Sequence, residues 1–164
     1  MDSVLLAKPL PLLGLVGLGF VAGRHFGVER GSVARLAIFV VAPCVFFYGT
    51  ATAPIDREGT ASFLLLPLLT WGLASLVCAI VYALGSRVPR PRRNLMAFAV
   101  GNTNSGYFGI PAAVAIFGES AFSTAVLLSI GFTLFENTVG FYVTARGRST
   151  PREALARLLR LPAL

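Results

Sequence analysis

The sequence predicts an all-α integral membrane protein of five transmembrane helices, the fourth broken at a Gly/Pro-rich segment. Three observations point there. Charged residues make up 13% of the 164-residue chain and hydrophobic residues 55%, whereas soluble domains carry about 25% charge. Five apolar runs, at 5–22, 33–52, 62–84, 95–117 and 121–144, are each about long enough to cross a hydrocarbon core of ~30 Å as a helix. Basic residues fall almost wholly in alternate connections. Mean hydropathy is +0.77, too apolar for a water-covered surface, and disordered chains are polar or highly charged.

The first run resembles a secretory leader only superficially. Its start carries Asp2 beside Lys8, with Pro9 and Pro11 following, so a mature span is expected rather than a cleaved one. The connection at 23–32 holds Arg24, His25, Glu29 and Arg30, with His25 read as a solvated loop residue. Pro43 and Pro67 are expected to kink the second and third runs. Cys44 and Cys78 each sit inside an apolar run without metal or disulfide spacing, and read as buried inert thiols. Trp71 and Tyr82 suit membrane packing or interface anchoring. The second connection, 53–61, holds Asp56, Arg57 and Glu58. The third, 85–94, reads GSRVPRPRRN, and 118–120 is a tight turn with Glu119. A single membrane domain, 1–144, is followed by a basic tail, 145–164.

The basic residues orient these spans. Lys8 and Arg57 lie on one side by alternation. Arg24, Arg30, Arg35, Arg87, Arg90, Arg92, Arg93, Arg146, Arg148, Arg152, Arg157 and Arg160 lie on the other. Cytoplasmic loops carry the excess of Lys and Arg, so the expectation is a multi-pass protein of the plasma (inner) membrane, N-terminus outside and C-terminus cytoplasmic. The net charge of +7 is thereby a topology signal, with the lipid bilayer as partner and no nucleic acid required. No phosphate loop, nucleophile motif or metal-ligand cluster is visible, so no catalytic residue, metal or cofactor is expected, and the chain does not read as an enzyme.

The fourth run departs from a lipid-adapted helix. Its centre reads GNTNSGYFGIP, residues 101–111. Pro111 has no N–H, which deprives the Tyr107 carbonyl of its helical partner. Ile110, preceding proline, is pushed from helical angles, and Gly106 and Gly109 let the chain leave the helix. The segment predicts a break over 105–111. Broken backbone at bilayer depth is tolerated where it is buried in protein or lines a cavity, and the half-helix from Pro111 would offer its positive end to an anion. Asn104, Ser105, Gly106, Gly109 and Pro111 are therefore candidate substrate-binding residues, with Asn102 and Thr103 extending the set. A proline kink or close helix packing would explain the glycines and proline without a ligand.

In the fifth run Glu136 is the acidic residue placed within the membrane, followed by Asn137. An intramembrane charge costs several kcal/mol unless protonated, paired or hydrated, so both join the candidate substrate site. The bland reading is a neutral carboxyl hydrogen-bonded within the bundle.

At these residues the chain resembles the N-terminal half of the auxin efflux carrier family, which includes plant PIN-type carriers and bacterial malate/malonate permease-like carriers. The stretch LLGLVGLGFVAGRHFGVERGSVARLAIFVVAPCVFF looks like the family's first two spans, NSGYFGIPAAVAIFGESAF like its fourth-span motif, and ENTVGFY like its fifth-span segment. In the family the fifth-span pair is usually Gln-Asn, so Glu136 is a departure. The resemblance implies ten spans in two inverted five-helix repeats, broken fourth and ninth helices crossing near mid-membrane, and an elevator-type secondary carrier of organic anions. By motif position Asn104 and Pro111 would lie at the crossover, and Glu136 and Asn137 beside the substrate. Coupling to H+ or Na+ is not set by the motif. The expectation is that this chain supplies one half, with a small organic anion as ligand and a second half-carrier chain or a homodimer as partner. Its tail resembles the segment leading into a sixth span. The alternative is a truncated or structural membrane protein without transport of its own.

Overall fold

The computed structural model describes residues 7–8, 10–53 and 57–160. Asp2, Pro9, Asp56 and residues 161–164, where the resemblance implies the start of a sixth span, lie outside the described residues. The described chain is helical, with no strand among its residues. Helix α1 is Leu10–His25, and α2 is Arg30–Ala51. Helix α3 is Arg57–Leu84, and α4 is Arg90–Gly101. Helix α5 comprises Ser105–Gly109 and Ile110–Phe117. Helix α6 is Glu119–Arg146, and α7 is Pro151–Leu158.

Among the described residues, three helices are long and apolar enough to cross a membrane: Arg30–Ala51, Phe63–Arg87 and Glu119–Arg146. They correspond to the second, third and fifth apolar runs. The first run forms a helix of 16 residues, and the fourth is divided into α4 and α5. Helix α1 buries none of its residues and exposes Leu13, Leu15, Val16, Leu18 and Phe20, the all-round apolar surface of a helix suited to lipid.

Several helix ends differ from the sequence expectation for local reasons. His25 closes α1 instead of lying in a loop, where a basic residue suits the negative helix end. Glu29 caps α2 by accepting from the Ser32 amide at 3.1 Å, so Arg30 belongs to the helix. Arg57 and Glu58 likewise fall within α3. The stretch RPRRN opens α4, with Pro91 in the first turn, where its missing N–H is not needed. Cys78 is buried but Cys44 is exposed, so the expected burial holds for Cys78 alone. Cys44 lies in a segment of α2 where only Gly49 is fully buried.

Each of α2, α5 and α6 contains a wide π turn, at Ala37–Val41, Ser105–Gly109 and Glu136–Gly140. The first two end just before an α segment that carries proline in its first turn, Pro43 and Pro111. Widening the turn moves the preceding carbonyl away from the proline ring.

The chain forms two compact units, one of residues up to 54 with 105–127 and a second of 55–104 with the chain from 128 onward. In the first unit Lys8 Nζ donates to the Ile116 carbonyl at 2.7 Å, capping the end of α5. The Tyr48 and Phe122 rings meet at 5.7 Å, and the Thr52 and Ser123 hydroxyls lie 3.2 Å apart. Gly118 turns α5 into α6 with φ +91, a conformation that favours glycine.

The second unit packs Ala74, Cys78, Ala97 and Phe135 into a core bordered by Val81, Phe98, Phe132 and Val143. Phe98 stacks on Phe135 with centroids 6.3 Å apart. Thr70 Oγ1 lies 3.0 Å from the carbonyls of both Leu66 and Leu128, so one hydroxyl serves its own helix and the neighbour. Gly131 makes that approach feasible. A Cβ there would sit 1.8 Å from Thr70 Oγ1 and 2.2 Å from the Pro67 carbonyl.

Candidate functional site

The fourth apolar run breaks three residues upstream of the expected segment. Helix α4 ends at Gly101, and Asn102 is extended at φ −97, ψ 144. Residues 102–104 are non-helical, and helix resumes at Ser105. The physical reason lies in the side chains. Asn and Thr offer the backbone local alternatives to helical hydrogen bonds, whereas Pro111, in the first turn of an α segment, needs no N–H there. The Gly/Pro stretch is thus helical, and the discontinuity belongs to Asn102-Thr103-Asn104.

The sequence-predicted residues divide between the two units. Asn102, Thr103, Asn104, Glu136 and Asn137 belong to the second, and Ser105, Gly106, Gly109 and Pro111 to the first. Thr103, Asn104 and Pro111 are exposed, while Ser105, Gly106 and Gly109 are half-buried. Asn102 differs from Asn104. Its Oδ1 is buried and has no hydrogen-bond partner among the described residues. A buried acceptor left unpaired costs about 1–3 kcal/mol, and such groups call for an explanation such as a ligand or an ion.

Glu136 opens the π turn of α6 and is exposed. Asn137 Nδ2 donates to the Thr133 carbonyl at 2.9 Å within its own helix, which leaves its carbonyl oxygen as the group able to face a partner. Thr138 accepts from Trp71 Nε1 at 3.0 Å, so Trp71 ties α3 to this turn. π turns inside α-helices are frequent at functional sites, because the extra residue re-aims side chains and frees backbone groups.

A second polar cluster escaped the sequence reading. Asn94, buried in α4, donates through Nδ2 to the Val143 carbonyl of α6 at 2.5 Å. Arg93 Nη2 donates to the Tyr82 hydroxyl at 2.7 Å, with the guanidinium carbon 4.1 Å from the ring centroid. Of these residues Asn94, Val143 and Tyr82 line a cavity of about 360 Å³, together with Arg146 and Tyr142. By sequence alone Arg93 and Asn94 read as a basic loop and Arg146 as part of the basic tail, while Tyr82, Tyr142 and Val143 fall in apolar runs. The available signal was Pro91, which marks a helix start and so places Arg93 in the first turn and Asn94 just beyond it.

Comparison with known proteins gives a transporter. The chain is 24% identical over 174 aligned residues to an uncharacterized transporter of Methanocaldococcus jannaschii, an alignment that takes in 100% of this chain and 54% of that protein. The chain therefore spans about half the length of the curated relative it matches. No family model and no solved structure matches it.

Proposed function

We propose that this chain is the N-terminal half of a secondary-active carrier for a small organic anion, a carboxylate, dicarboxylate or auxin-like molecule, working in elevator fashion. The observation that carries this reading is the interruption at Asn102–Asn104 within an apolar run, together with the unpaired, buried Asn102 Oδ1. Discontinuous spans of this kind mark substrate sites in secondary transporters. The similarity to a transporter supports transport in general, and the resemblance to auxin efflux carriers supplies the substrate class. In this reading Asn104, Ser105, Gly106, Gly109, Pro111, Glu136 and Asn137 bind substrate, and Asn102 and Thr103 assist. The carrier crosses the plasma (inner) membrane five times in this half, with the N-terminus outside and the C-terminus cytoplasmic. It works without catalytic residues or a bound cofactor, coupled to H+ or Na+. Its remaining half is a second chain or a homodimer mate.

Uptake of labelled dicarboxylates into proteoliposomes tests the proposal. Uptake that falls at least tenfold in Asn104→Ala at equal folded yield supports it. A second reading is favoured by the half-length match: a membrane protein without independent transport. No uptake by this chain, beside uptake by a form carrying a further five-span half, selects that reading.

A further inference from the structure

The second unit carries a cavity, apolar over most of its wall with a few polar groups, that the transport reading does not use. Helix α3 lines it with Ser75, Cys78 and Tyr82, α4 with Asn94, and α6 with Tyr142 and Arg146. At about 360 Å³ it falls within the size range of small-molecule pockets, ~300–1,000 Å³.

Three groups define what it would hold. Asn94 is 2% exposed, and its Nδ2 is committed to the Val143 carbonyl. That bond fixes the amide orientation and leaves Oδ1 as a buried acceptor without a partner among the described residues. The Tyr82 oxygen accepts from Arg93, so its own proton is left to donate, and the adjacent cation strengthens that donor. Arg146 gives Nη1 to the Ser149 carbonyl at 2.9 Å and lines the cavity with a positive charge whose planar fork suits an oxyanion. Among the described residues neither Arg93 nor Arg146 has a carboxylate within 4.0 Å, and the ion pair that is described, Arg35–Glu29, lies in the other unit.

The Arg146 guanidinium on the lining, without a carboxylate among the described residues, favours an anion, and Arg93 adds positive charge behind Tyr82. The Asn94 acceptor disfavours a bare one, because two oxygens with no proton between them repel. We propose that this cavity binds an oxyanion bearing its own O–H or N–H donor, with Arg146 and the Tyr82 hydroxyl holding the anionic oxygens and Asn94 Oδ1 accepting from the donor. A free phosphate and a lipid headgroup that combines phosphate with a hydroxyl share this chemistry.

Phosphate and sulfate separate the donor requirement from charge, since phosphate keeps a proton at neutral pH and sulfate does not. The whole chain in neutral detergent is expected to show a saturable rise in melting temperature with inorganic phosphate and none with sulfate at equal ionic strength. Transfer into nanodiscs of phosphatidylglycerol against phosphatidylcholine tests the headgroup source. Stabilisation by phosphatidylglycerol alone assigns the site to lipid, and stabilisation by phosphate alone assigns it to a free anion. Either response is expected to weaken at least tenfold in Arg146→Gln and in Tyr82→Phe, the latter removing a single oxygen. Asn104→Ala, which tests the transport reading, is expected to leave it unchanged. Equal responses to phosphate and sulfate, no response to phosphate or phosphatidylglycerol, or unaltered affinity in Tyr82→Phe would overturn the proposal.

Discussion

Asn102 and Gly131 show how single residues set local energetics here. The Asn102 side-chain oxygen is buried without a partner among the described residues, so removing it takes away a penalty rather than a bond. Asn102→Ala is expected to hold or raise the melting temperature while reducing dicarboxylate uptake about tenfold, which corresponds to about 1.4 kcal/mol of lost interaction. A fall in both would make the residue structural. Gly131 is the converse case. Gly131→Ala would drive a methyl group into Thr70 Oγ1 and the Pro67 carbonyl. Overpacking of this kind destabilises by about 1–3 kcal/mol, and because one obstacle is backbone, the upper part of that range is expected in detergent unfolding. Glu136 is exposed at the start of a π turn. In the transport reading, Glu136→Gln is expected to alter the pH profile of uptake, and an identical profile would remove the carboxylate from the coupling step.

Among the elements, α5 and α7 illustrate how end chemistry decides a helix. Proline inside a helix costs about 3 kcal/mol or more, yet Pro111 follows a π turn and occupies a first α turn. Pro111→Ala is therefore expected to change thermal stability by less than about 1 kcal/mol. A large gain would show that the proline strains α5 after all. Helix α7 begins with a capping box in which Thr150 accepts from the Glu153 amide and the Glu153 carboxylate accepts from the Thr150 amide at 3.0 Å. Thr150→Ala is expected to weaken it by about 1 kcal/mol, seen as faster hydrogen exchange at 152–158 with the rest of the chain unaffected.

Across the whole molecule, contacts within each unit join segments far apart in the sequence. In the first unit Lys8 meets Ile116 near the end of the fourth run, and Thr52, at the end of the second, meets Ser123 near the start of the fifth. In the second unit Asn94 and Pro91, from the third connection, pack against Val143 near the end of the fifth run and Gly147 in the tail. In the proposed orientation, a cysteine at Ser86 in a chain lacking Cys44 and Cys78 is expected to resist an impermeant maleimide until the cells are opened. Labelling in intact cells would reverse the orientation.

The sequence by itself determined the helical class, the apolar runs and the irregularity of the fourth. These follow from composition and local backbone chemistry, which any single segment carries. It misplaced the break, because the missing N–H of Pro111 is a strong local signal whose effect vanishes when a wide turn precedes it. It missed Asn94, Arg93 and Arg146, because residues read singly as a solvated basic loop and tail meet only when α3, α4 and α6 pack together. Burial, an unpaired oxygen and the distance between two side chains are properties of that packing, and no periodicity in one segment encodes them.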